Sequence, residues 1–136
     1  MEKLRDHLDY YYIVKGYNCA ETVFHAANDA WGLGLQDPVF KCMGGFGGGM
    51  GTRNVCGAIS GGIAAMGFLY VEETGHKSPL MMAKAKLLTE LVQQRLGSEK
   101  CSYLNPTYKT EAEKCLPTIR LVCEIIDEVV ATEIQL

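Results

Sequence analysis

Six of the eight residues from Gly44 to Gly51 are glycine, and the 17 residues from Val55 to Val71 carry no charge. No helix or strand interior tolerates the first pattern, so Gly44–Asn54 is expected to be an irregular connection. The second pattern reaches the lower length limit for a membrane crossing. It contains Gly57, Gly61, Gly62 and Gly67, however, and its flanking segments are amphipathic with the caps of water-soluble helices. We read it as a buried central helix from about Val55 to Thr74. Its pairs Gly57/Gly61, Ala58/Gly62 and Gly61/Ala65 form a flat face that lets a second backbone come close. These two neighbouring features set the plan of the molecule.

The remaining segments carry a helical period. Glu2–Lys15 places Leu4, Leu8, Tyr11 and Tyr12 on one face and ends at Gly16. Asn18 followed three residues later by Glu21 is a capping box, and Val23, Phe24, Ala27 and Trp31 form the stripe behind it. Asp37-Pro38 starts a short helix through about Met43. Ser78-Pro79 opens a long helix with Leu80, Leu87, Leu88, Leu91, Val92 and Leu96 inward, closed by Gly97. Ser98 begins a short turn or helix bearing Cys101. Thr110 and Glu113 offer a further capping box before a last helix with Ile119, Val122, Cys123, Ile126, Val129 and Val130 inward. No strand-like alternation or repeat occurs. The expected fold is all-α: residues 1–136 as one domain, a bundle of about five main helices around the glycine-rich one.

Charge and termini narrow the function. The net charge of −3 has both signs dispersed and no basic stripe, which argues against a nucleic-acid partner. The start, MEKLRDHLDYYY, has early acids and no apolar core, so it does not read as a secretory signal and a cytoplasmic location is expected. In a reducing compartment six cysteines read as thiols, metal ligands or redox centres rather than as a disulfide framework. Tyr10, Tyr11 and Tyr12 expose aromatic surface on two helix faces, which reads as core plus rim or as the contact of a homodimer.

Four of the six cysteines fall at or near expected helix starts: Cys19 after Asn18, Cys56 after Asn54, Cys101 after Ser98, and Cys115 after the Thr110–Glu113 segment. A helix N-terminus carries partial positive charge and favours thiolate over thiol, the form that attacks disulfides and binds metals. Cys56, with Arg53 close in sequence and Gly57 beside it, is the leading nucleophile by this reasoning. Gly47, Gly48 and Gly49 are expected to hold their backbone near it and, with Gly57, to leave room for a small group on the sulfur. The glycine loop matches neither the dinucleotide fingerprint nor the P-loop, so phosphate binding is not expected there. Cys123 lies on an apolar stripe and reads as core, while Cys42 has no evident place. No pair has the C-x-x-C spacing, so any site is assembled by folding. His7, His25 and His76 are isolated.

The joint pattern of Gly16-Tyr17-Asn18-Cys19-Ala20-Glu21, Gly45-Phe46-Gly47-Gly48-Gly49-Met50-Gly51, Cys56-Gly57-Ala58-Ile59-Ser60-Gly61-Gly62, and single Cys101 and Cys115 resembles the C_GCAxxG_C_C family over nearly the whole chain. That resemblance implies a redox-active protein of prokaryotic type whose four characteristic cysteines are Cys19, Cys56, Cys101 and Cys115, with Cys123 the competitor for the last place. It also implies kinship with a domain of split-Soret cytochromes that is associated with an iron–sulfur centre. The C-x-x-C-H motif is missing, so a c-type haem is not expected.

Two redox readings follow, and one that is not redox. The four cysteines act by thiol–disulfide exchange or electron transfer with a redox partner protein, Cys56 attacking and a second cysteine such as Cys19 resolving. Alternatively the same four are metal ligands, of an iron–sulfur cluster or another thiophilic metal. In the third reading they only fill space in a structural or interaction module.

Overall fold

A computed structural model describes residues 1–136. Six α-helices follow in order: α1 Cys19–Trp31, α2 Asp37–Phe40, α3 Gly57–Tyr70, α4 Pro79–Leu96, α5 Cys101–Tyr108 and α6 Leu116–Ala131. There is no sheet, only two isolated bridges, Val55 with Lys100 and Thr110 with Lys114. The all-α expectation holds, with α1, α3, α4, α5 and α6 as the main helices.

The glycine-rich α3 is central and packs on α1, α4 and α6. The crossing with α1 is the closest, and glycine makes it possible. A β-carbon on Gly61 would lie 2.5 Å from the carbonyl oxygen of Ala20. On the other side of α3, the place of a Gly62 β-carbon is filled by Ile126 of α6. No helix is long and apolar enough to cross a membrane, which agrees with the reading of the uncharged stretch as core.

The first helix starts as read. Asn18 accepts the amide of Glu21, and Glu21 returns a carboxylate oxygen to the amide of Asn18, closing the capping box. Gly32 ends α1 in the left-handed region, and Gly97 does the same for α4. Val23, Phe24 and Ala27 are fully or almost fully buried.

Four boundaries differ from the sequence reading. Glu2–Lys15 is not one regular helix: a tight turn at Leu4–His7 passes into a widened turn at Tyr10–Val14. The run Tyr-Tyr-Tyr-Ile-Val is aromatic and β-branched and holds regular helix poorly. The central helix is shorter than Val55–Thr74, because Val55 pairs with Lys100 and the amide of Cys56 donates to Glu99 O at 2.8 Å. The short helix after Pro38 runs on as a tight turn to Phe46, three residues into the glycine loop. The Thr110–Glu113 pair closes a turn, not a helix: Thr110 Oγ1 accepts the amide of Glu113 at 3.0 Å, and α6 starts only at Leu116.

Lys84, in mid-α4, is 3% exposed, and its position among Leu residues gave no sign of a role. Its ammonium donates to the carbonyls of Val129 (2.6 Å), Val130 (3.4 Å) and Thr132. It therefore closes the C-terminal end of α6, where a cation also meets the negative end of the helix dipole. Lys84→Met keeps the stem and removes the donor, so we expect a loss of about 2 kcal/mol in urea unfolding. An unchanged midpoint would show that water replaces the ammonium at no cost.

Candidate four-thiol site

The four cysteines are positioned by the starts of four helices. Cys19 is the first residue of α1, Cys101 the first of α5, and Cys56 and Cys115 are the N-terminal cap residues of α3 and α6. Backbone pairing then brings the segments together. Cys101 N donates to Asn54 O at 2.7 Å while Cys56 N donates to Glu99 O, so Cys56 and Cys101 each follow one partner of the Val55–Lys100 bridge. Cys19 reaches the start of α3 through glycine: a β-carbon on Gly57 would lie 2.4 Å from its sulfur. Cys115 is held from the N-terminal segment, its amide donating to Tyr12 Oη at 3.1 Å.

As a result Cys19, Cys56, Cys101 and Cys115 line one cavity of about 290 Å³. No histidine and no carboxylate lines it. A second, more open pocket of about 560 Å³ adjoins it and shares Cys19, Gly48 and Cys115 with it. Cys56 and Cys101 face the inner chamber alone. All six cysteines are free thiols.

The electrostatics reverse one expectation. Burial pushes the Cys56 thiol up to about 12, and the neighbouring Cys19 adds to the rise, while the amides of Ala58 and Ile59 only partly offset it. Burial also raises Cys19, against the opposing amides of Gly48 and Ala20. The helix N-termini are present, but desolvation outweighs them. Arg53 does not serve Cys56 either, since its guanidinium lies 3.9 Å from Cys101 Sγ. Burial thus works against Cys56 as an activated nucleophile.

The glycines divide. Gly48 and Gly51 line the inner cavity, and the Gly48 amide is directed at Cys19, not at Cys56. Gly47 gives room to the Asn18 side chain, Gly49 packs on the Asn54 backbone at a φ of 62°, and Gly57 gives room to Cys19. Cys123 is wholly buried in the core and Cys42 is exposed, both away from the cavity lining. His25 is stacked between the rings of Tyr17 and Phe40, and His7 pairs with Glu2, so no histidine serves the site.

Three polar groups of the site went unread in the sequence, and a fourth, Arg53, was set beside Cys56 rather than Cys101. Tyr12 holds Cys115, Arg53 approaches Cys101, and Asn105 Oδ1 accepts the Cys115 thiol at 3.5 Å. Thr118 also lines the inner cavity, 4% exposed, and its hydroxyl has no hydrogen-bond partner. Tyr12 and Arg53 lie 103 and 48 positions from the cysteines they approach, Asn105 only ten from Cys115, and Thr118 one helical turn beyond it. A buried threonine one turn into α6 was the one local signal available.

A family model described as "Putative redox-active protein (C_GCAxxG_C_C)" matches residues 17–129. The chain belongs to this family. No curated protein and no solved structure matches it. All four cysteines of the cavity lie inside the matched span of this C_GCAxxG_C_C protein, as do Gly48 and Gly57.

Proposed function

We propose that this C_GCAxxG_C_C protein transfers electrons by thiol–disulfide exchange, with Cys115 as the attacking thiol and Cys19 as the resolving one. The observation that carries this reading is that these two, alone among the four, open to both chambers. A substrate disulfide in the outer pocket meets Cys115 at the N-terminal cap of the 16-residue α6. The Cys115 thiolate attacks one sulfur of the substrate, forms a mixed disulfide and expels the first product thiolate. The Cys19 thiolate then attacks Cys115 Sγ, closes the Cys19–Cys115 disulfide and expels the second. Two protein thiols lose two electrons and two protons, and the substrate disulfide leaves as two thiols carrying them.

The unpartnered Thr118 hydroxyl in the inner cavity favours a second reading, in which the four thiols hold an iron–sulfur cluster. The donor chemistry suits it: four soft sulfurs, no hard oxygen ligand, and amides of Gly48, Ala58 and Ile59 directed at two of them. A hydroxyl such as that of Thr118 is a ready donor to a bound sulfide. The arrangement does not suit a single ion, because no three His, Cys, Asp or Glu side chains come close enough together to hold one. When bound, such a cluster would supply one-electron transfer, with Cys19, Cys56, Cys101 and Cys115 as its ligands.

One preparation separates the two. Protein purified without air and then oxidised with a small disulfide should be colourless throughout, and peptide mapping should find a Cys19–Cys115 link. A brown protein containing iron and sulfide, its four thiols shielded from alkylation until the iron is chelated, would replace exchange by the cluster reading.

A further inference from the structure

The outer pocket has a charge asymmetry that the four thiols do not explain. Its walls are Tyr12, Ile13 and Tyr17, and only two of its lining residues are charged, Glu113 and Lys114. The Glu113 carboxylate is already held by Arg120 at 2.8 Å. Lys114 takes part in none of the chain's ion pairs. It is exposed at the rim, next to Cys115, and its backbone at φ 57° is fixed on both sides by the pairing with Thr110. A pocket of about 560 Å³ is in the range that takes a small molecule.

Building on the exchange reading, we propose that the outer pocket binds low-molecular-weight disulfides that carry carboxylates. Their apolar parts lie against Tyr12, Ile13 and Tyr17, and one carboxylate meets the free Lys114 ammonium. The adjacent S–S bond then faces Cys115. Lys114 is a positioning residue here: it selects the ligand's charge and takes no part in bond exchange.

The test uses three probes of similar size and different charge: dithiodiglycolate (anionic), hydroxyethyl disulfide (neutral) and cystamine (cationic). Each rate of adduct formation at Cys115, read by mass spectrometry in a Cys19→Ser, Cys42→Ser background where the mixed disulfide is not resolved, is divided by that probe's rate with a free small thiol. The anionic probe should lead the neutral one by about fivefold at low salt, with the cationic probe last, and the lead should vanish at high ionic strength. Lys114→Gln should abolish the preference and Lys114→Glu should invert it. Equal normalised rates for the three probes with Lys114 in place would overturn the pocket proposal while leaving exchange intact. Failure of every probe to modify Cys115 would overturn the exchange reading, and this inference with it. The salt dependence is measured on the unmodified lysine, so the outcome stands even where a Lys114 variant folds poorly.

Discussion

Cys115→Ser is expected to lose at least about a thousandfold in the rate of product-thiol release from a small disulfide, the scale on which removal of an attacking nucleophile is felt. The assay belongs in a Cys42→Ser background, because Cys42 is an exposed free thiol open to the same disulfide. Cys19→Ser should behave differently. Cys115 still attacks, one equivalent of thiol is released, and a stable mixed disulfide accumulates, visible as a mass increase. Cys56→Ser should leave both steps near their native rates, since that sulfur does not reach the outer pocket. The resolving step carries a pH signature. Burial holds the Cys19 thiol above its ordinary range, so at neutral pH only a small fraction is thiolate. That fraction grows about tenfold for each pH unit below the pKa, and the rate of disulfide closure should climb with pH through neutrality without a plateau. Full retention of activity in Cys115→Ser, or a pH-independent closure, would remove Cys115 and Cys19 from these roles.

What could be read in the chain was whatever rests on local spacing. The capping box at Asn18 and Glu21, the stop at Gly97 and the approach of two backbones at Gly61 all follow from residues within one turn of each other. So does the placing of four cysteines at helix starts. The charge state of those cysteines was not legible, because it depends on how deeply the folded chain buries them. The helix dipole was visible in the sequence; the desolvation that outweighs it at Cys56 was not. The same limit applies to partners. Arg53 is three residues from Cys56 in the chain and yet approaches Cys101, because the Val55–Lys100 pairing turns the two segments past each other. Tyr12 and Cys115 are 103 residues apart. Lys84 binds carbonyls 45 to 48 positions away. No periodicity records contacts of that range.

Two glycines on one face of α3 should separate the stability of the fold from the assembly of the site. Gly61→Ala puts a methyl group 2.5 Å from the Ala20 carbonyl oxygen, 3.2 Å from its carbonyl carbon and 3.2 Å from its Cα. All three are backbone atoms of α1 and cannot rotate away, so the α1–α3 crossing must open. Alanine gains somewhat over glycine as a helix former, but the overpacking dominates, and we expect a net loss of about 3 kcal/mol in urea unfolding. Gly57→Ala is one turn nearer the site and meets a different neighbour. Its methyl group would lie 2.4 Å from Cys19 Sγ, 2.9 Å from Phe46 O and 3.2 Å from Ala20 N, the one α1 backbone atom it approaches. The sulfur is the end of a side chain and can swing to another rotamer; the loop carbonyl must give a little. The fold should therefore lose less than in Gly61→Ala, while Cys19 leaves the slot that directs its sulfur to the shared wall of the two chambers. Closure of the Cys19–Cys115 disulfide should slow by at least about tenfold, because a small misplacement of a reacting atom is enough for that. The two measurements are unfolding midpoint and rate of closure, made on both variants. A Gly57→Ala protein that closes its disulfide at the native rate would mean that the glycine slot does not position Cys19, and the link between the α1–α3 crossing and the chemistry would be gone.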